Sequence, residues 1–246
     1  MKPGGWVSVT GLGPGAEDLV TPEARAILAE ATDIVGYGPY VARIPEREGQ
    51  IRHASDNRVE LERAALALSL AAEGRRAAVV SSGDPGVFAM ASALFEAMEA
   101  GPEAWRNLEV RVVPGVTAML AAAAAAGAPL GHDFCAINLS DNLKPFGLVL
   151  KRLRLAVEAD FAMGLYNPRS KARPRQFAEV LTLLREICEP ERLILFARAV
   201  STPEQEIRVI PLREAAPEMA DMRTVVLVGS SRTRRVGRFV YTPRSA

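Results

Sequence analysis

Short apolar runs alternate with amphipathic helical patterns along the first half of the chain. Residues 6–10 form a strand-like run, and residues 77–81 form a more continuous apolar run, which is typical of a strand inside a parallel sheet. Between them, residues 57–73 place apolar side chains at helical spacing and end at Gly74, a common helix stop. This alternation predicts a parallel sheet with helices packed on its faces.

The second half ends in strand-like runs with short connections, which predicts a mixed sheet. The chain has 246 residues, of which 49% are hydrophobic, and this length suits one large domain or two ordinary ones. We predict an α/β protein with two α/β domains, residues 1–116 and 117–246.

Thr21 before Pro22 predicts a capped helix start. The predicted strands are residues 6–10, 33–35, 77–81, 110–113, 134–139, 161–165, 193–200, 207–212 and 225–228, and the predicted helices are residues 22–31, 57–73, 88–100, 147–158 and 175–188, with an alanine-rich helix around residues 121–126.

Charge and cysteine content exclude several classes of partner. The chain has 30 Lys and Arg against 29 Asp and Glu, a net charge of +1, so we expect no nucleic acid and no membrane as partner. Cys135 and Cys188 are far apart, and His53 and His132 are isolated, so we expect no disulfide framework and no bound metal. A signal-peptide pattern is missing, and the apolar stretch 118–128 is too short to cross a bilayer, so we expect a cytoplasmic protein.

Three predicted strands of the first half end in glycine-containing turns. These turns are residues 11–15 (Gly-Leu-Gly-Pro-Gly), residues 81–86 (Ser-Ser-Gly-Asp-Pro-Gly) and residues 113–118 (Val-Pro-Gly-Val-Thr-Ala). Open α/β sheets bind their ligands at the carboxyl ends of the strands. The functional site is therefore predicted at these turns.

The first turn also has the glycine spacing of a dinucleotide-binding loop, through Gly11, Gly13 and Ala16. Two features argue against that interpretation: Pro14 removes a backbone donor, and two acidic residues follow where a pyrophosphate would lie. The remaining alternative for this turn alone is a tight turn without a ligand.

The second and third turns each allow a structural and a functional interpretation. Asp84 either caps a helix that begins near Val87, or presents a free carboxylate beside exposed glycines, suited to ribose hydroxyls or a cation. Thr117 either caps the alanine-rich helix or binds a ligand through its hydroxyl. The third turn could also be a hinge between the two domains.

In their order and spacing, the three turns resemble those of the tetrapyrrole (corrin/porphyrin) methylases, and the resemblance covers nearly the whole chain. It implies a two-domain fold, class III methyltransferase-like, with an interdomain cleft. It also implies S-adenosylmethionine as the cofactor, S-adenosylhomocysteine as its product, and a homodimer.

Further segments resemble one branch of this family, which methylates C17 of precorrin-3B and contracts the macrocycle to give precorrin-4. These segments are residues 36–41, 139–143 and 165–170. Gly38 stands where the uroporphyrinogen-III branch usually carries an aspartate, which argues against that branch. Lys144 and Phe146 depart from the Thr and Trp expected after the Ser-Asp pair, so the substrate loop differs from the family's pattern.

The resemblance also implies which residues bind the two ligands, with contacts to the cofactor mostly through the backbone. For the cofactor these residues are Pro14, Ser82, Gly83, Asp84, Val87, Thr117, Ala118, Met163, Leu165, Tyr166, Ala197, Arg198 and Gly229. For the substrate they are Gly13, Tyr37, Asn167 and Arg169.

Ring contraction requires a base for a ring hydroxyl and a hydrogen-bond donor for the departing oxygen. Asp141, Ser140 and Tyr166 offer these groups near the predicted cleft. We interpret Asp141 as the group that orients or deprotonates the macrocycle. The alternative is that Ser140 and Asp141 only begin a turn.

Precorrins carry many carboxylates, so their site should be basic. The candidate cations are Arg169, Lys171, Arg173 and Arg175, with a second cluster at Arg232, Arg234 and Arg235. A contact with the substrate is favoured for Arg169, and a solvated position for most of the others.

Several other functions remain open at this stage. Within the fold, the chain could act on a different precorrin position, on the cobalt-bearing equivalent, or on a protein side chain. A related methylase acting on RNA is a further alternative, but the neutral net charge counts against it. Outside it, the alternatives are a nicotinamide-dependent oxidoreductase and a ligand-binding protein without turnover.

Overall fold

The computed structural model describes residues 4–56 and 59–245. The chain divides into two compact units, and the division falls between Thr117 and Ala118. This position is one residue beyond the domain boundary predicted from the sequence. Each unit contains its own five-stranded sheet.

The sheet of the first unit is entirely parallel and has the strand order β3-β2-β4-β1-β5. Its strands are β1 (Trp6–Gly11), β2 (Asp33–Tyr37), β3 (Ile51–Ser55), β4 (Arg76–Ser81) and β5 (Glu109–Val113). Its helices are α1 (Pro22–Glu30), α2 (Gly38–Val41), α3 (Glu60–Ala72) and α4 (Met90–Ala100), with 3-10 turns at Glu17–Leu19 and Glu103–Asn107. The parallel sheet that the first half predicts is confirmed.

Both faces of this sheet are covered, so its inner strands are buried on both sides. Val7 and Val9 of β1 pack on one face with α3 and α4. Trp6 packs on the other face with α1. Ser8 and Thr10 are also fully buried, and their hydroxyls lie 2.9 Å apart and satisfy each other by a hydrogen bond.

The predicted start of α1 is confirmed, because the Ala24 amide donates to the Thr21 hydroxyl at 3.1 Å. The predicted start of α4 at residue 88 is wrong by two residues. Phe88 has a φ of 54° and Ala89 is extended, so neither can belong to the helix, which begins at Met90. For α3, the predicted start at residue 57 lies outside the described residues.

Two elements of the first unit were not predicted. β3 is an edge strand whose residues Ile51–Ser55 are exposed or half-buried and include an arginine and a histidine, so it shows no apolar pattern. α2 has only four residues, which is too short for helical periodicity to show.

The sheet of the second unit is mixed, as predicted, with the strand order β10-β9-β11-β8-β7. β7 and β8 are parallel, whereas β11 is antiparallel to both β8 and β9. A small sheet, β12-β13-β6, was not predicted. The strands are β6 (Gly127–Ala128), β7 (Phe134–Asn138), β8 (Ala162–Tyr166), β9 (Leu193–Arg198), β10 (Glu206–Pro211), β11 (Thr224–Val228), β12 (Arg234–Val236) and β13 (Phe239–Tyr241), and the helices are α5 (Ala118–Ala126), α6 (Phe146–Glu158) and α7 (Gln176–Ile187), with 3-10 turns at Leu212–Glu214 and Pro217–Met219.

The five-stranded sheet of the second unit separates two apolar cores. α6 and α7 cover one face, where Met163 and Leu165 of β8 are fully buried. α5 covers the other face, against Ala197 of β9 and the half-buried ring of Tyr166. Neighbouring residues of β8 therefore point to opposite sides, as the pleat of a strand requires.

A buried carboxylate at the amino end of β2 links this strand to β3 and to the residue before β4. Asp33 is fully buried, and its oxygens accept hydrogen bonds from His53 Nε2 at 2.7 Å, Arg75 Nε at 2.7 Å and the Thr32 hydroxyl at 2.7 Å. Burial by itself would raise the pKa of Asp33, but the hydrogen bonds from His53, Thr32 and Arg75 outweigh it, and the pKa is lowered.

Asp33→Asn should lower the free energy of unfolding by about 2–3 kcal/mol at neutral pH, because Arg75 and His53 lose a buried anionic partner. A lowered pKa in the folded state means that the stabilisation is present above the unfolded pKa, about 3.9, and is lost as pH falls through the folded value. Urea unfolding across this pH range measures both effects. The control is Glu109→Gln, whose ion pair with Arg111 is exposed, with an expected cost under about 1 kcal/mol. Equal losses in the two variants would contradict the account.

Candidate functional site

The three glycine turns of the first unit are bonded to one another at the carboxyl edge of its sheet. Gly13 and Gly83 exchange two backbone hydrogen bonds, of 3.2 and 2.9 Å. The Leu12 amide donates to the Ser81 carbonyl at 2.8 Å. The backbones pack so closely that a Cβ on Gly11 would lie 2.8 Å from the Gly83 carbonyl oxygen. The three turns at which the functional site is predicted therefore lie together.

Asp84 ties the second turn to the third. Its Oδ1 accepts from the Gly86 amide at 2.8 Å, and its Oδ2 accepts from the Gly115 amide at 3.1 Å. The expectation of a free carboxylate is wrong, and so is the alternative of a helix cap, because α4 begins only at Met90. Of the two glycines beside it, Gly83 is buried and Gly86 is exposed. Each carboxylate oxygen retains a second lone pair that could accept a ligand hydroxyl.

The first turn cannot serve as a pyrophosphate loop of the dinucleotide type. The amides of Leu12 and Gly13 are already bonded to carbonyl oxygens of the second turn and its strand, and Pro14 has no amide hydrogen. The carbonyls of this turn instead accept hydrogen bonds from Arg43, which the sequence analysis did not single out. A phosphate would find too few donors here, which argues against the nicotinamide-dependent alternative.

The other predicted residues of the first unit lie at or beside the same edge. Tyr37 ends β2, is half-buried, and meets the ring of Tyr40 edge-on at 5.3 Å between centroids. Ser82 and Val87 are half-buried in or just after the second turn, and Thr117 is buried shortly after β5. Pro14 is half-buried and Gly13 is buried in the first turn.

In the second unit, Asn138 joins the loops that follow β7 and β8. Its Oδ1 accepts from the Ser140 amide at 2.9 Å and from Asn167 Nδ2 at 3.0 Å. The Leu139 amide donates to the Tyr166 carbonyl at 2.9 Å. The structure thus brings together the predicted residues Ser140, Tyr166 and Asn167, which are distant in sequence.

Asp141 lies in the same cluster and is held from the side of α7. Its Oδ2 accepts from Gln176 Nε2 at 3.0 Å, and its Oδ1 lies 4.0 Å from Arg173 Nε. Arg173 is buried and donates to the Asn167 carbonyl at 3.0 Å. Burial lowers the pKa of Arg173, although Asp141 acts in the opposite direction. The expectation that Arg173 is solvated is therefore wrong.

The remaining predicted cations of this loop differ in exposure. Lys171 and Arg175 are exposed, whereas Arg169 is half-buried. Nearby, Lys144 donates to the Ser140 carbonyl at 3.0 Å, and burial lowers its pKa, assisted by the positive charges of two arginines. The loop therefore combines one carboxylate with a surplus of positive charge, which suits an anionic ligand.

The hydroxyl of Tyr166 accepts a hydrogen bond from the Met119 amide in the first turn of α5, at 3.1 Å. Ala118 begins the same helix. This contact places the phenol beside the amino end of α5. Tyr166 therefore has a structural role in addition to any role in catalysis.

The other predicted cofactor residues of the second unit lie at different places in its five-stranded sheet. The side chains of Met163 and Leu165 are enclosed in the core, so only their backbone could contact a ligand. Arg198 ends β9 and pairs with Asp221 at 2.8 Å. Gly229 lies at the opposite edge of the sheet, where its amide donates to the carbonyl of Leu193, the first residue of β9, at 2.9 Å.

Four polar residues that organise these clusters were not assigned by sequence reasoning. They are Tyr40, Arg43, Asn138 and Gln176. Asn138 offered a signal, since an amide at the end of an apolar strand often bonds the following loop. Arg43 offered none, because its partners are carbonyl groups about 30 residues earlier.

Comparison with known families tests the resemblance that the three glycine turns carry. Residues 7–216 match the model of the Tetrapyrrole (Corrin/Porphyrin) Methylases. The chain belongs to this family. The predicted family and the predicted α/β fold class are thereby confirmed.

Three relatives show where this tetrapyrrole methylase stands within its family. It is 52% identical over 245 residues to a Sinorhizobium protein named Precorrin-3B C(17)-methyltransferase, covering 98% of this chain and 96% of that protein. A crystal structure of the methyltransferase CobJ is 74% identical, with a TM-score of 0.95, and the match covers 97% of this chain and 100% of that one. A Salmonella typhimurium protein named Probable cobalt-factor III C(17)-methyltransferase is 35% identical, covering 97% and 98% of the two chains.

The described residues contain neither a cluster of metal ligands nor a membrane-spanning helix. Among residues 4–56 and 59–245, no group of three or more His, Cys, Asp and Glu side chains is arranged to hold a metal ion. Within the same ranges, the helices are too short or too polar to cross a membrane.

Proposed function

We propose that this tetrapyrrole methylase transfers a methyl group from S-adenosylmethionine to C17 of precorrin-3B, with contraction of the ring to give precorrin-4. The observation that carries the proposal is the 52% identity, over nearly the full length of both chains, to the protein named for this reaction. The relative named for cobalt-factor III is only 35% identical over a similar length. This difference favours the metal-free substrate over the cobalt-bearing one.

The residues of the first unit fit a nucleoside cofactor that carries a positive charge and no phosphate. The Ser82 hydroxyl and the Asp84 carboxylate stand at the carboxyl edge of the sheet and can bond ribose hydroxyls or attract a cation. Arg43 and two amides of the first turn are already engaged with carbonyl oxygens. When bound, S-adenosylmethionine supplies an activated methyl group on sulfur.

We propose that the predicted residues of both units bind this cofactor. From the first unit these are Pro14, Ser82, Gly83, Asp84, Val87 and Thr117, and from the second Ala118, Met163, Leu165, Tyr166, Ala197 and Arg198. Met163 and Leu165 would contribute backbone groups, since their side chains are enclosed. Gly229 stays a prediction apart from this group, because it lies at the other edge of its sheet.

Methyl transfer to carbon is a displacement that needs no nucleophile from the enzyme. Its requirement is alignment of the ring carbon with the sulfur–methyl bond, and positioning of this kind can lower a barrier by about 7–11 kcal/mol. The hydrogen-bonded turns of the first unit provide a rigid platform for the donor. Rigid placement, rather than a reactive side chain, is therefore what this fold contributes to the methyl transfer.

For ring contraction, we propose that Asp141 accepts the proton of the ring hydroxyl. Ser140 and Tyr166 are the proposed donors to the departing oxygen, and they lie in the same loop cluster. Arg169 is half-buried and forms no ion pair among the described residues, which leaves its guanidinium available for a substrate carboxylate. Gly13, Tyr37 and Asn167 are the other proposed substrate contacts.

Mass spectrometry of the product formed from precorrin-3B and S-adenosylmethionine tests the proposal. We expect a mass gain of one methyl group together with the absorption spectrum of a contracted ring. Cobalt-factor III, offered in parallel, should react more slowly. Methylation without contraction, or preference for the cobalt compound, would contradict the assignment to precorrin-3B.

The assembly and location of the enzyme are part of the same proposal. We propose a homodimer, as the family resemblance implies, and a cytoplasmic location, since two unpaired cysteines suit a reducing compartment. Sedimentation at micromolar concentration measures the first point, and a monomer of 26.4 kDa under those conditions would contradict it.

A further inference from the structure

The Arg43 guanidinium donates hydrogen bonds to three carbonyl oxygens of the first glycine turn. Arg43 Nη2 donates to the Leu12 carbonyl at 2.8 Å and to the Gly15 carbonyl at 3.3 Å. Its Nη1 donates to the Gly13 carbonyl at 3.3 Å. Hydrogen bonds from a charged donor are stronger than those between neutral groups. A single side chain thus fixes three of the four peptide carbonyls of residues 12–15.

The segment that carries Arg43 is itself attached to its surroundings on two sides. Arg52 of β3 donates to the carbonyls of Val41 and Ile44, at 3.3 and 2.6 Å. Tyr40, in α2, lies beside Ser82 of the second turn: burial raises the pKa of the Tyr40 phenol, and the Ser82 hydroxyl acts in the opposite direction. Residues 38–44 therefore connect the edge strand to the first glycine turn, with Tyr40 beside the second.

The partial burial of Arg43 explains why its guanidinium needs hydrogen-bond acceptors from the turn. The side chain is half-buried, and burial lowers its pKa, against the attraction of Glu17 and Tyr40. Arginine nevertheless keeps its charge at neutral pH, and a half-buried cation requires acceptors. The turn carbonyls supply them, so the cation and the turn conformation depend on each other.

We propose that Arg43 is a positioning residue that holds residues 12–15 in the conformation that binds S-adenosylmethionine. This inference rests on the proposed function. Arg43 acts through Gly13 and Pro14 and is not itself assigned a contact with the cofactor. A turn that is already ordered before binding does not lose conformational entropy when the ligand arrives, and its affinity is higher for that reason.

Arg43→Met tests the inference in the full-length protein. We expect the Kd of S-adenosylhomocysteine in calorimetry, and the KM of S-adenosylmethionine, to rise by about tenfold. The kcat at saturating cofactor should stay within about twofold, because binding restores the turn and no reacting group is removed. Arg43→Lys should recover part of the affinity, since an ammonium can donate to the carbonyls but lacks the planar fork.

The matched control is Arg47→Met, which removes the same charge four residues further on, from an exposed side chain. It should leave the Kd unchanged. Equal affinity of the Arg43→Met variant and the wild type, even with a lower melting temperature, would overturn the Arg43 inference alone. A fall in kcat with an unchanged KM would overturn it as well. If the wild type itself fails to bind S-adenosylhomocysteine, the proposed function fails, and the inference fails with it.

Discussion

Replacement of Asp141 by alanine should reduce formation of the contracted product by about 100-fold or more, which is the usual effect of removing a general base. Asp141 is the carboxylate of the loop cluster after β7 and β8, and it is held by Gln176 and faces Arg173. The Kd of S-adenosylhomocysteine should change by less than about twofold, because Asp141 is assigned to the macrocycle and not to the cofactor.

Three comparisons separate a chemical role of Asp141 from a structural one. Asp141→Asn keeps the size of the side chain, and its amide oxygen can still accept a hydrogen bond from Gln176. This variant should therefore fold normally but fail to form the contracted product. Gln176→Ala removes the orienting partner and should lower kcat less than the loss of the carboxylate. Asp133→Asn changes an exposed carboxylate just before β7 and should have no effect. Normal turnover of Asp141→Asn would remove Asp141 from the mechanism.

Gly115→Ala should strongly weaken cofactor binding and destabilise the first unit. The added Cβ would lie 2.2 Å from the Gly83 carbonyl oxygen and 3.0 Å from the Gly11 Cα, and both contacts are with backbone. The turns can relieve this overlap only by moving apart, which breaks the hydrogen bond between the Gly115 amide and Asp84. We expect the Kd of S-adenosylhomocysteine to rise about 100-fold and the free energy of unfolding to fall by about 2–3 kcal/mol.

Gly38→Ala is the control for the glycine substitution. Gly38 begins α2 on the same edge of the sheet, and a Cβ there would have no atom within 4 Å. The free energy of unfolding should change by less than about 0.5 kcal/mol, and the affinity should stay the same. Calorimetry and urea unfolding of both variants provide the comparison. Wild-type affinity in Gly115→Ala would contradict the view that close packing of the three turns forms the cofactor platform.

The sequence predicts those parts of the fold that depend on local patterns. β4, at the centre of the first sheet, is buried on two faces, so its apolar run is unambiguous, and α1 is marked by a threonine cap and a proline. β3 was missed because it is an edge strand with polar residues, and α2 because four residues show no periodicity. The family resemblance was accessible because its three turns keep a fixed order along the chain.

The candidate site was predictable only where its residues carry a recognisable turn motif. The glycine turns were identified, but the bonding of Asp84 to Gly115 depends on a contact across 31 residues that no local pattern encodes. The contacts of Arg43 could not be predicted either, because its acceptors are backbone carbonyl groups, which every residue type carries. Arg173 was expected with most of its neighbours to lie in a solvated loop, whereas the fold buries it, and it donates to the Asn167 carbonyl.

A crystal structure of the protein with S-adenosylhomocysteine tests the central claim most directly. The account predicts that the nucleoside lies at the carboxyl edge of the first sheet, against residues 12–15 and 82–87, with its ribose hydroxyls near the Asp84 carboxylate. A nucleoside bound elsewhere on the molecule, or a protein that leaves the ligand unbound at millimolar concentration, would contradict it.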